Sequence, residues 1–256
     1  MKDGFVTTKK HGRIHYLEAG SGKPIILLQS NGNSAYEYDA VLPILGKRRH
    51  VIAWDQPGQG DSDRIVRHYS VEDYGDAVID FMDALGLKTA SVLGSSIGGS
   101  ITVDLGARHA KRIDRLFIVE APVRTTEEWA ARWLDTDQMW SFPTQTREQV
   151  APRLRNLTDP VLQRWNIDRN KAGSWTMVDV MWAIRLFDVN SAVKKVSTDH
   201  TMAIYGKKGQ LAATAGPVME KNIPGCKLTL MEHSGHFPML DEPEELSRIV
   251  DGFMGD

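Results

Sequence analysis

A chain of 256 residues, 41% of them hydrophobic, is long enough for one well-cored domain or a core with an insertion. Acids and bases are interspersed and nearly cancel to a formal net charge of −2, so no basic face is on offer to a nucleic acid. No apolar run approaches the roughly 18 residues of a membrane helix, residues 1–10 lack a signal peptide's apolar centre, and the single cysteine, Cys226, excludes an internal disulfide, so the expected compartment is the cytoplasm.

Taken in order, the predicted elements alternate. An apolar strand, Pro24–Leu28, ends in Ser30-Asn31-Gly32-Asn33, and a second, His50–Trp54, ends in a glycine-rich turn over 55–62 that reads as structural. The β-prone run 89–93 passes directly into Gly94-Ser95-Ser96-Ile97-Gly98 and then into a helical pattern over 97–109. A strand over 115–119 leads to Glu120-Ala121-Pro122, and a long insert follows. Strands over 200–205 and Lys227–Met231 come last, the latter running into His233-Ser234-Gly235-His236-Phe237-Pro238. Such alternation predicts an α/β fold: a mostly parallel sheet with helices on both faces. The core should comprise 1–122 and 197–256, with 123–196 as a helical cap. There is neither Cys/His metal spacing nor a phosphate-cradling loop, so no metal and no cofactor are expected.

The segment 94–98 is a Gly-x-Ser-x-Gly in the strand–turn–helix setting that a nucleophile elbow needs. The turn leaves almost no room at 94 and 98, and it would hold Ser96 exposed at a helix N-terminus. With the order of the other elements, the chain resembles the α/β-hydrolase superfamily over nearly its whole length. In that superfamily the general base follows the last strand, commonly after a glycine, as His236 does here. His233 reads as a strand-end residue. The acid usually sits on a turn after the penultimate strand, but there this chain has Gly206-Lys207-Lys208-Gly209 and no carboxylate from 201 to 219. The alternative superfamily position, the end of the strand after the elbow, holds Glu120. A carboxylate behind four apolar strand residues is expected to be partly buried, and a buried acid needs a partner. The expected triad is Ser96–His236–Glu120, with Asp188, Asp199 and Glu220 as competing carboxylates. The oxyanion hole is expected from the amide of Ile97 and that of Gly32 or Asn33. Asn31 stands where many relatives have histidine.

Six of the seven tryptophans fall in the insert, at 129, 133, 140, 165, 175 and 182. Helical spacing makes at least half of them cap core, and the rest would line a wide apolar pocket. The features together are similar to the zearalenone hydrolases, which are mycotoxin lactonases. That resemblance implies a lactone substrate that is bulky, apolar and aromatic. It places Trp182 over the lactone, with Asn31, Pro122 and Phe237 beside it. Other readings on the same fold are a carboxylesterase, a C–C bond hydrolase, or a lactone sensor that turns over very slowly. A haloalkane dehalogenase would need aspartate where Ser96 stands. No nucleic acid or membrane partner is expected, and a homodimer is left open.

Overall fold

The computed structural model describes residues 1–196 and 200–255. Eight strands form one sheet: β1 (Lys2–Thr7), β2 (Arg13–Ala19), β3 (Pro24–Leu28), β4 (His50–Trp54), β5 (Ala90–Ser95), β6 (Ile113–Val119), β7 (Thr201–Gly206) and β8 (Lys227–Met231). Their spatial order is β1-β2-β4-β3-β5-β6-β7-β8. From β4 to β8 every pairing is parallel; β1 and β2 form an antiparallel extension at one edge. That hairpin, whose mixed polar pattern hides it, was absent from the expectation.

Period-two alternation splits the core in two. In β3, Ile26 and Leu28 join one apolar cluster while Ile25 and Leu27 join the other, and β4 and β6 divide likewise. Helices are needed on both faces for this reason. On the first face lie α2 (Val71–Ala84) and α3 (Ile97–Arg108); on the second lie α1 (Leu42–Leu45) and α11 (Pro243–Met254). A capping box starts α2, where Ser70 and Asp73 exchange side-chain and backbone bonds.

Between β6 and β7 run α4 (Thr126–Ala131), α5 (Trp133–Ser141), α6 (Arg147–Val150), α7 (Asp159–Leu186) and α8 (Val189–Ala192). Two short helices, α9 (Gly216–Asn222) and α10 (Pro238–Asp241), flank β8. The long α7 kinks at Gly173, whose φ of 77° and ψ of 158° are not helical. Trp129 and Trp133, expected on one helix, are parted by a break at Arg132 between α4 and α5. Among the described residues no helix is long and apolar enough to cross a membrane.

Candidate active site

The elbow follows from what surrounds its glycines. A Cβ on Gly94 would stand 2.0 Å from the Gly98 carbonyl oxygen, and one on Gly98 would stand 2.4 Å from that of Leu28. Neither position can carry a side chain. The chain turns so sharply that Ser96 takes φ 57° and ψ −110°. Its amide donates to the Val119 carbonyl (2.9 Å), which ties the turn to β6, and its carbonyl accepts from Ser100 (3.1 Å) to open α3. The hydroxyl is partly exposed and, among the described residues, makes no hydrogen bond.

One residue beyond that Val119 carbonyl sits Glu120. Ser96 and Glu120 are the two non-glycine residues with positive φ among those described. Glu120 is fully buried. Its Oε1 accepts the Gly206 amide (2.7 Å) and its Oε2 meets His236 Nδ1 (3.0 Å). The His236 ring is partly exposed and stands edge-on to Phe237, 5.0 Å between centroids. The space beside β7, at the turn where the superfamily usually carries its acid, is reached by this glutamate: a Cβ on Gly209 would lie 3.6 Å from Glu120 Oε1. Of the competing carboxylates, Asp188 caps α8 through the Ser191 amide, Glu220 is exposed on α9, and Asp199 lies outside the described residues. His233 is exposed.

The loop after β3 is more occupied than its sequence suggests. The Gly32 amide donates to Gln59 Oε1 (2.8 Å) and the Asn33 amide to the Ser30 carbonyl (3.2 Å), so each expected oxyanion donor already has an acceptor. Ile97, the first residue of α3, has an amide with no acceptor inside its helix. Asn31 turns its side chain away from any ligand role: Nδ2 donates to the Met177 carbonyl of α7 (2.9 Å) and Oδ1 accepts from Gln59 (3.0 Å). Below the loop, the buried Glu37 carboxylate accepts from the Ser30 amide, the Ser30 hydroxyl and Asn33 Nδ2, and burial pushes it up to about 7. Gln59 and Glu37 were missed because side-chain bonds to a loop leave no periodic trace in sequence.

The binding residues need correction. Trp182 stacks on Trp133 at 4.3 Å between centroids and under Arg185, and is 37% exposed. It shares an outer face of α7 with Trp175, seven residues back, whereas Met177, Val180 and Ile184 make the buried face. Trp182 therefore lies on the side of α7 away from Met177, whose sulfur sits against Gly32. Phe237 is fully buried against Trp165, and Pro122 is buried after β6, so neither offers a ligand an open surface. Trp129, Trp140 and Trp165 are buried. A cavity of about 640 Å³ between the loop 33–40 and the first turns of α7 is lined by neither Ser96 nor His236, though it includes Asn33, Glu37 and Asp168.

Among the described residues, His15, Asp55 and Asp61 could together reach a metal ion. Their atoms are already spent. Asp55 accepts from His15 Nδ1 (2.8 Å), the Ala35 amide and the Asp61 amide, and Asp3 meets His15 Nε2 (3.1 Å). The cluster fastens the turn after β4 to β2, in keeping with the structural reading of that turn.

Comparison with known proteins decides the family. Residues 23–158, more than half of the chain, match the model described as alpha/beta hydrolase fold. The chain belongs to the α/β-hydrolase fold family. It is 23% identical over 260 residues to a 2-hydroxymuconate semialdehyde hydrolase of Pseudomonas sp. (strain CF600), covering 95% of this chain and 91% of that one. A pimeloyl-[acyl-carrier protein] methyl ester esterase of Neisseria meningitidis is 22% identical over 244 residues, covering 91% and 93%. The crystal structure of an enol-lactonase from Burkholderia xenovorans LB400 superposes with a TM-score of 0.85 at 21% identity, over 99% of this chain and all of that one. These likenesses support a hydrolase and leave its substrate open.

Proposed function

We propose that this α/β-hydrolase is a cofactor-independent serine hydrolase of carboxylic esters or lactones, working through an acyl-enzyme. The observation that carries the reading is the 3.0 Å contact between His236 Nδ1 and the buried Glu120 carboxylate, set one strand from the elbow serine. A carboxylate on Nδ1 fixes the tautomer in which Nε2 is free to take a proton, and it stabilises the imidazolium that forms. Ser96 Oγ attacks the carbonyl carbon while His236 takes its proton. The Ile97 amide holds the oxyanion, joined by the Gly32 or Asn33 amide once that is released from its internal acceptor. His236 returns the proton to the leaving alkoxide, and a water activated by the same nitrogen then hydrolyses the acyl-Ser96.

Relatives described as a methyl ester esterase and an enol-lactonase support an acyl centre. The narrower candidate is a macrocyclic aromatic lactone of the zearalenone type. It rests on the Ser96, Glu120, His236 order and on a tryptophan-rich cap, and it loses support at Trp182. A C–C bond hydrolase is the second reading, favoured by the 2-hydroxymuconate semialdehyde hydrolase relative.

The test is a panel of aryl esters, small lactones, macrocyclic resorcylic lactones and a vinylogous diketone, assayed with wild-type protein and Ser96→Ala. Turnover of esters or lactones that disappears in Ser96→Ala supports the proposal. Cleavage of the diketone alone moves the function to C–C hydrolysis. Tight lactone binding with negligible turnover of every compound makes the chain a sensor.

A further inference from the structure

Two arginines of the cap, Arg153 and Arg169, have no ion-pair partner among the described residues. Arg169 of α7 is fully buried; its Nε and Nη2 donate to the carbonyls of Pro143, Met139 and Phe142, at 2.9–3.2 Å, but its buried Nη1 has no partner. Arg153, in the segment between α6 and α7, likewise has a buried Nη1 without a partner. Among the described residues no carboxylate lies within ion-pair distance of either one. The acid whose charge acts on Arg153 is Glu37, and its oxygens are taken by Ser30 and Asn33.

The two cations share aromatic walls. The Arg153 guanidinium carbon lies 5.4 Å from the Trp140 ring centre, 5.3 Å from Trp165 and 5.2 Å from Phe237; that of Arg169 lies 4.7 Å from Trp140 and 6.0 Å from Trp165. Ring faces offset part of the desolvation, but they do not satisfy an N–H. Each arginine also touches a loop of the proposed catalytic machinery. A Cβ built on Gly32 would lie 3.3 Å from Arg169 Nη1, and the Arg153 carbonyl accepts the His236 amide (3.1 Å). Burial and mutual repulsion draw the Arg169 guanidinium down to about 9, and burial draws Arg153 down to about 10. Both remain charged at neutral pH. An unpaired buried charge strongly destabilises a fold, and an anion supplied from outside would offset that cost.

We propose that Arg153 and Arg169 form a carboxylate-binding subsite beside Ser96 and His236, so that the preferred substrate is an ester or lactone bearing a free carboxylate. This rests on the serine-hydrolase reading and narrows its substrate class. The carboxylate would take the two Nη1 donors while the scissile carbonyl lies at the elbow, and the tryptophan walls would cover the carbon chain between them.

The experiment compares 4-nitrophenyl hemiesters of succinate, glutarate and adipate with the same esters methylated at the far carboxylate. Wild-type kcat/KM should favour at least one hemiester by about 10-fold or more, and Arg153→Met should cut that preference about 10- to 100-fold, mainly through KM. Arg169→Lys, which keeps the charge but not the fork, should cut it less. Melting curves check that each variant folds. Calorimetry of glutarate with Ser96→Ala, and with Ser96→Ala/Arg153→Met, reads binding without chemistry. If no ester turns over but glutarate still binds in an Arg153-dependent way, the triad reading fails and the subsite stands. If both ester series are cleaved alike, or Arg153→Met slows both equally while glutarate binding is absent, the arginines only brace the cap and the subsite is overturned.

Discussion

Ser96 and Glu120 hold positive φ values of 57° and 50°, a backbone region that L side chains avoid at a cost of about 1–3 kcal/mol each. The tight turn after β5 and the paired ends of β6 and β7 over-determine these conformations. Ser96→Ala keeps the strain and removes the nucleophile, so kcat should fall by several orders of magnitude with the melting temperature unchanged. Ser96→Gly should be equally inactive yet more stable than Ser96→Ala. Strain relief of about 1–3 kcal/mol exceeds the roughly 0.4–1 kcal/mol of extra chain entropy that glycine must lose. Thermal melts of the two variants decide the point, and a glycine variant no more stable than the alanine one would show that the elbow is unstrained. At Trp182 the expectation differs from the one the zearalenone-hydrolase resemblance implied. Trp182→Ala removes a stack on Trp133 and a cation–π contact with Arg185, worth about 1–2 kcal/mol together. The melting temperature should drop by a few degrees, while KM for large and small esters should move in step.

The proposed acid illustrates how an element, rather than a residue, would supply a function. Glu120 arises from the end of β6, and its carboxylate crosses to the β7 side, where the Gly206 amide receives it. Glu120→Gln should lower kcat about 10²- to 10⁴-fold, because an amide neither stabilises imidazolium nor enforces the tautomer. Since Gly209 faces the same spot without positive φ, Glu120→Ala/Gly209→Asp should recover part of what Glu120→Ala loses. Stopped-flow or steady-state kcat on one activated ester reads both, and a double variant no better than Glu120→Ala would place His236 beyond reach of position 209. This element was legible in sequence, because an empty β7 turn and a carboxylate behind Phe117-Ile118-Val119 are both visible as residue types. The elbow was legible for the same reason. The β1–β2 hairpin, the Gln59 and Glu37 braces and the outward face of α7 were not. Hairpin pairing, side-chain bonds over long separations and the roll of a kinked helix depend on tertiary contacts that no local pattern encodes.

At the scale of the molecule, buried acids tie stability to pH. Glu37 is raised to about 7 and Asp168 to about 6, in both cases chiefly by burial. A raised carboxyl holds its proton more tightly folded than unfolded. Its contribution is complete below the unfolded value and is lost as pH rises through the folded one. The melting temperature should therefore decline between about pH 4 and pH 7, and Glu37→Gln should flatten that decline. Equal slopes for the two proteins would remove Glu37 from the account. The sheet's order has a different kind of outcome. The Ser96 amide donates to the carbonyl of Val119, the neighbour of Glu120, so the proposed nucleophile and acid are carried by adjacent strands, and Gly206, the last residue of β7, supplies the amide that holds the acid. The turn that follows, over 207–215, exposes Lys207, Lys208, Gln210, Ala213 and Thr214 while burying Leu211 and Ala215, and it carries no residue of the proposed triad. On that reading its exposed tip at Lys207-Lys208 can change in length and composition, and a graft or a new chain terminus there would leave the proposed triad intact.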